Sequence, residues 1–288
     1  MEGGEKTVKY LAIYRHRAKY SIKVMCQFFS VSRSGYYSFV NRMDKPNKDE
    51  PLRQMIITCQ EHARKTYGYR RVKIWLEKVK CLIINHKRVL RIMNQYGLLS
   101  EIRRSKKYKR MGEHLHKYSN LLNRDFHAET INQKWVTDIS YIHTGQGIIY
   151  LSIIRDLFDG SIVAYKMSTT QTVNLVLNTI KEAKQKERVT PELQLHSDQG
   201  FQYTSTGYFN LTKEYGITPS MSRRGNCYDN AMAENFFGIL KSECIHRHRI
   251  KTFDEARQIV DEYVYFYNFE RIQLKTRLTP YEKRCQPA

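Results

Sequence analysis

The chain has 288 residues, 41% of them hydrophobic and 27% charged, a globular composition and not that of a disordered chain. No run approaches the ~18 apolar residues of a membrane span, and the first twenty residues lack a secretory apolar region. Six cysteines (26, 59, 81, 227, 244, 285) without a C-x-x-C pair argue against a disulfide scaffold and a paired-cysteine zinc site, so a cytoplasmic compartment is expected. Charge is the loudest bulk signal: 49 Lys and Arg against 28 Asp and Glu give a net +21. Residues 1–125 hold 29 basic and 10 acidic residues, whereas 126–288 hold 20 and 18. A basic front half fits a polyanionic partner, most simply nucleic acid; the plainer alternative is a solvated basic surface.

Taken in chain order, Ile22–Phe29 predicts a short helix, Ser30 a cap and Ser32–Val40 a second helix. Two short helices across a tight turn, with Arg33 opening the second, fit a helix-turn-helix or an ordinary helical hairpin. Lys45–Pro51, with two prolines, reads as a linker. Tyr69–Lys80 predicts a helix with Val72, Ile74, Trp75, Leu76 and Val79 on its buried face. Asn85 is positioned to cap a helix from His86 to about Gln95, which Gly97 ends. Arg70, Arg71, Lys73, Lys87, Arg88 and Arg91 are expected mostly on outward faces, where they would hold a phosphate backbone. A second, strongly basic linker covers 101–125 and contains Arg103, Arg104, Lys106 and Lys107. The expected domains are therefore 1–45, 46–100, the linker 101–125, and 126–288.

From residue 131 the texture changes. Lys134–Ile142, Ile148–Leu157 and Ile162–Met167 predict three strands joined by turns. Helices are expected at about Val173–Arg188, Thr206–Tyr215, Asn230–Ile245 and Asp254–Tyr267, with short strands ending at His196 and spanning Ile217–Met221. Three strands as a meander, followed by alternating helix and strand, describe an α/β mixed sheet with helices packed on it.

Three carboxylates stand out by location. Asp138 lies within a strand, in W-V-T-D-I-S, where burial is costly without a partner or a metal. Asp198 lies just past a short apolar strand, in H-S-D-Q-G, and strand ends in such sheets are where ligands bind. Glu234 lies one turn into the helix after R-R-G-N-C-Y-D-N. Taken singly, Asp198 could serve a turn, Asp138 could pair with an arginine, and Glu234 could favour a helix N-terminus. Their spacing says more: 35 residues separate Asp198 from Glu234, and Lys241 follows seven later. Positions i and i+7 share a helix face two turns apart, about 10 Å along the axis, which suits a DNA strand lying along that face.

This pattern resembles the D,D(35)E core of retroviral integrases and related transposases. The wording W-V-T-D-I-S-Y-I, H-S-D-Q-G-F-Q-Y and S-R-R-G-N-C-Y-D-N-A-M-A-E-N-F-F-G-I-L-K-S-E, with Y-G-Y-R-R (Tyr67–Arg71) before and Y-N-F-E-R-I-Q-L-K (Tyr267–Lys275) after, resembles the second-frame (OrfB) transposase of the insertion-sequence-three family. The resemblance covers nearly the whole chain. It implies a ribonuclease-H-like core with a five-stranded mixed sheet. It implies Asp138, Asp198 and Glu234 as catalytic and metal-holding residues, with Asp138 bridging two Mg²⁺ ions for which Mn²⁺ can substitute. It implies cleavage at element ends and attack of the freed 3′-hydroxyl on DNA, with Lys241 near the scissile phosphate. It further implies double-stranded DNA as partner, an upstream-frame (OrfA) protein or a fusion with it, and a homo-oligomer on DNA. No sustained heptad is present, which agrees with a zipper lying in that partner. No structural zinc is expected, since Cys26, Cys59 and Cys81 lack histidines at ligand spacing, and His114, His116 and the histidines near Cys244 read as surface residues.

Capping is the expected role of Asp229 and Asn230, and core packing that of Trp135, Tyr263, Tyr265, Phe266 and Tyr267. Two rival functions are a non-catalytic DNA-binding protein with a decayed core and a nuclease acting on RNA–DNA hybrids. The intact acids and Lys241 weigh against the first. The basic front half and the fixed spacing weigh against the second.

Overall fold

The computed structural model describes residues 2–43, 48–101, 118–190, 192–223 and 226–286. Arg103, Arg104, Lys106, Lys107, His114 and His116 lie outside the described residues, as does most of the 101–125 segment. The chain divides into two compact units, Met1–Gln54 and Met55–Ala288. The boundary falls inside the segment expected at 46–100, whose residues from 55 onward lie in one unit with 126–288.

In the first unit, α1 (Glu2–His16), α2 (Ile22–Phe28) and α3 (Arg33–Met43) share a small core of Ile13, Met25, Cys26 and Tyr36. Helix α1 has no counterpart among the expected elements; its two early glycines and interspersed charges mask a helical period. Ser30 does not cap the start of α3. It takes a left-handed φ of 51° just past α2, whose C-terminus it closes, its N–H and that of Val31 donating to the Gln27 and Cys26 carbonyls (3.1 and 2.9 Å). The cap of α3 is Ser32, whose Oγ accepts from the Gly35 N–H at 3.0 Å.

Three further helices follow: α4 (Glu50–His62), α5 (Tyr69–Lys80) and α6 (His86–Gln95). Pro51, read as linker, stands in the first turn of α4, where its missing N–H costs nothing. Val72, Ile74, Trp75 and Leu76 of α5 are buried as expected, with Val89, Ile92 and Met93 of α6. Val79 is exposed instead, because it lies in the last turn of α5 beyond the packed face. Asn85 caps α6 as expected, its Oδ1 accepting from the Lys87 N–H at 2.8 Å.

The sheet has β1 (Lys134–Thr144), β2 (Gly147–Asp156) and β3 (Ile162–Ser168) as an antiparallel meander. Helix α7 (Val173–Lys186) then leads to β4 (Gln194–Ser197), and α8 (Thr206–Glu214) to β5 (Thr218–Met221). The order is β3-β2-β1-β4-β5, with β4 parallel to β1 and β5 parallel to β4. The expected five-stranded mixed sheet is thus present. Helices α9 (Ala231–Glu243), α10 (Phe253–Phe269) and α11 (Pro280–Arg284) complete the unit. Alternation along β1 divides the core. Trp135 packs with Val176, Leu195 and Tyr208, while Val136 packs with Leu157 and Ala233. Trp135, Tyr263, Phe266 and Tyr267 are core residues as expected; Tyr265 is exposed, since it faces away on α10.

Candidate active site

The backbone brings two acids abreast before any side chain is considered. In the parallel β1–β4 ladder Val136 is paired with His196. Continuing that register by two residues sets Asp138 beside Asp198. Asp138 also shares its face of β1 with Val136, which packs against Ala233. Ala233 immediately precedes Glu234 in the first turn of α9. All three acids thus converge on one side of the sheet, near the C-terminal end of β4.

The electrostatics carry the same message. Burial, then the neighbouring Asp198 and Glu234, push the Asp138 carboxyl well above the usual carboxylate range, against one stabilising hydrogen bond from the Ile139 N–H (2.7 Å). Glu234 faces solvent, yet partial desolvation and Asp198 raise its carboxyl too. Asp198 Oδ1 accepts from the Gly200 N–H at 2.9 Å. Asp138 and Glu234 form no ion pair among the described residues. The cationic group that Asp138 feels is Lys241, whose Nζ lies 4.7 Å from the Tyr141 ring centre and whose ammonium is lowered by burial. Among the described residues no three His, Cys, Asp or Glu side chains stand close enough together to enclose a metal ion.

Around the acids the structure is tightly tied. His196, two residues before Asp198, is buried, with Nδ1 2.8 Å from Ser220 Oγ and Nε2 3.1 Å from Ser222 Oγ. Burial pushes its imidazole down to about 4, so it is a neutral bridge from β4 to Ser220 of β5 and to Ser222 just after it. Asp229 does not cap, and Asn230 stands at the N-cap position of α9 but makes no side-chain capping bond. Asn226 caps the short 3₁₀ turn Cys227–Asn230 that leads into α9, accepting from the Tyr228 N–H (3.2 Å). Asp229 is fully buried and accepts from the backbone and guanidinium of Arg223 (3.0 and 2.9 Å), from Arg124 (2.9 Å) and from Asn120 (2.9 Å). Those bonds hold its carboxyl far below the usual range. Asn230 Nδ2 donates to the Thr137 carbonyl at 3.3 Å. Arg155 Nη1 donates to the Met232 carbonyl at 2.6 Å. Neither Thr137 nor Arg155 was a sequence candidate; nothing in a strand's alternation marks a residue that works through its main chain or reaches another element.

The basic candidates divide. Arg33, Arg70, Lys87 and Arg88 are exposed on α3, α5 and α6. Lys73 pairs with Glu77 at 2.7 Å, one turn on. Arg71 departs from the outward expectation: it is largely buried, 3.6 Å from Glu243 and over the Tyr67 ring. A helix wheel separates faces, but it cannot say that a second buried acid waits beside one of them.

Family models described as an integrase core domain match residues 128–227 and, separately, 234–287, and one described as an HTH-like domain matches 46–106. The HTH-like match falls on α4–α6, downstream of the 22–40 pair expected from sequence. The chain is 38% identical to the InsK protein of insertion sequence element IS150 of Escherichia coli (strain K12), over 94% of this chain and 95% of that one. It is 31% identical to transposase InsF of insertion sequence IS3A from the same organism, over 89% and 91%. Among solved structures, it superposes on a chain of the simian T-cell lymphotropic virus intasome in complex with PP2A regulatory subunit B56 gamma. That match has a TM-score of 0.50 and 14% identity, and covers 75% of each chain.

Proposed function

Since the chain belongs to the insertion-sequence transposases that carry an integrase core, and is a polynucleotidyl transferase acting on DNA, we propose that Asp138, Asp198 and Glu234 are its catalytic carboxylates. The observation that carries this reading is the β1–β4 register. It sets Asp138 abreast of Asp198, in a cluster where Asp198 and Glu234 raise the Asp138 carboxyl and Asp198 raises that of Glu234. Like charges gathered at one place favour a divalent cation, and a set of hard oxygen donors fits Mg²⁺ or Mn²⁺. Asp138, Asp198 and Glu234 would together hold two such ions. Ions held by these residues would supply a lowered pKa for an attacking water or hydroxyl and would offset charge on the phosphodiester.

The chain's own groups do the rest. The strand fixes Asp138, the turn at Gly200 orients Asp198 through its N–H, and α9 presents Glu234 toward solvent, where a DNA strand can approach. Lys241, two turns further along α9, contacts a phosphate beside the reacting one. Arg33, Arg70, Lys87 and Arg88 contact the DNA backbone, as do Arg103, Arg104, Lys106 and Lys107. The substrate is the paired ends of an element and a target duplex, handled by a homo-oligomer together with an upstream-frame partner. Neither rival reading has an observation in its favour.

The test is strand cleavage of a labelled element-end duplex with Mg²⁺, comparing the native chain with Glu234→Gln. Cleavage should vanish while duplex binding persists. Cleavage by the variant would remove Glu234 from the assignment.

A further inference from the structure

We infer that Thr137, Asn230 and Tyr203 form a brace that sets the spacing of the three carboxylates, and with it their affinity for a divalent cation. The inference rests on the carboxylate reading above and deepens it. Thr137 is fully buried and directly precedes Asp138. Its hydroxyl donates to the Ile153 carbonyl across the β1–β2 ladder at 2.8 Å. With that proton committed, the Tyr203 hydroxyl, 3.3 Å away, is the donor to Thr137 Oγ1. Tyr203 lies five residues beyond Asp198 in the same turn-rich segment and is 1% exposed. On the other side, Asn230 Nδ2 donates to the Thr137 carbonyl. Asn230 lies one helical turn before Glu234 and is 2% exposed. One residue of β1, adjacent to the first acid, is thus tied to the segments that carry the second and the third.

Stability does not account for the choice of Asn230. Its bond is long at 3.3 Å, and its Oδ1 is buried without a partner among the described residues. It makes no capping bond, and the first turn of α9 is already tied by Arg155 to Met232. A buried amide held at one donor and unsatisfied at its acceptor is a poor stabilising device. It does fix the distance between two backbones. Groups that orient metal-holding side chains from behind typically change metal affinity by about 10–100-fold when removed.

The test measures Mn²⁺ binding by electron paramagnetic resonance on the full chain without DNA, beside thermal unfolding, for the native chain, Asn230→Ala, Tyr203→Phe and Asp138→Asn. The expected result is loss of binding in Asp138→Asn and about 10–100-fold weaker binding in the two brace variants, with unfolding temperatures close to native. Native-like Mn²⁺ affinity in both brace variants, with binding lost in Asp138→Asn, would overturn the brace alone. Weakened binding that merely tracks unfolding would assign these residues to stability and also overturn it. Native-like binding in Asp138→Asn would remove the carboxylate reading itself, and the brace with it.

Discussion

Helix α9 carries a glutamate near each end, and the two live under opposite conditions. Glu243 is buried and fully answered. Arg271 grips it through two bonds of 2.7 Å, Tyr263 donates at 2.8 Å, and Arg71 stands at 3.6 Å. Glu234, about two and a half turns earlier on the same helix, faces two other acids and no ion-pair partner among the described residues. A second answered cluster sits around Arg284, which reaches Asp159 at 2.6 Å, Glu187 at 2.7 Å and Asp156 at 3.2 Å. The fold clearly has arginines to spare for its buried acids. Among the described residues Asp138 and Glu234 pair with none, which marks the cluster as a place where charge is to be balanced by something that arrives.

The contrast breaks or sharpens under substitution. Asp138→Asn should lower strand cleavage by at least ~10³-fold, since cation-borne stabilisation is worth several kcal/mol. It should also raise the urea midpoint. A carboxyl lifted in the folded state disfavours its ionised form there, so the native protein loses stability as pH rises through that range, and a neutral amide removes the loss. A lowered midpoint would place Asp138 with the answered acids. Glu243→Gln should do the reverse, costing about 3–5 kcal/mol by chemical denaturation because Arg271 is left buried and unpaired, while the folded fraction still cleaves. Asp229→Asn lies at the same end of α9 as Glu234 yet removes a paired acid. It should cost about 2 kcal/mol, less than Glu243→Gln because Arg223 and Arg124 can turn to water. Asp229 has its carboxyl lowered in the fold. Its contribution is thus complete above about pH 4, where the unfolded group ionises, and fades as pH falls further; Asp229→Asn should flatten that acid limb. Smallest is Lys241→Ala, expected to reduce the salt dependence of duplex binding by about one phosphate contact, read as a slope of log K against log salt shallower by about 0.9.

Much of this was legible in the chain. Strand alternation and turn residues located β1 to β3, and the Asn85 cap and Gly97 bounded α6. The candidate acids were singled out by their places on a strand, at a strand end and on a helix, and by the 35 residues between Asp198 and Glu234. Other features leave no such trace. Pro51 speaks for a break until a helix is known to begin just before it. Arg71 and Arg70 are alike in sequence, and only the burial of Glu243 turns one inward. Asp229 carried a faint signal, an acid after two arginines in a polar loop. The grip it exerts needs Arg124 and Asn120, more than a hundred positions away.

The short β4 strand has a consequence for how such chains can drift. Strand parity is two, so one residue gained or lost between Gln194 and Asp198 would turn the second acid to the opposite face of the sheet. The interval from Asp138 to β4 has no such rigidity, since its helix and turns can absorb a change in length while the ladder with Val136 re-forms unchanged. Length variation among relatives should therefore be tolerated ahead of β4 and forbidden within it. In that sense the chemistry is guarded by a count of five residues as much as by their identities.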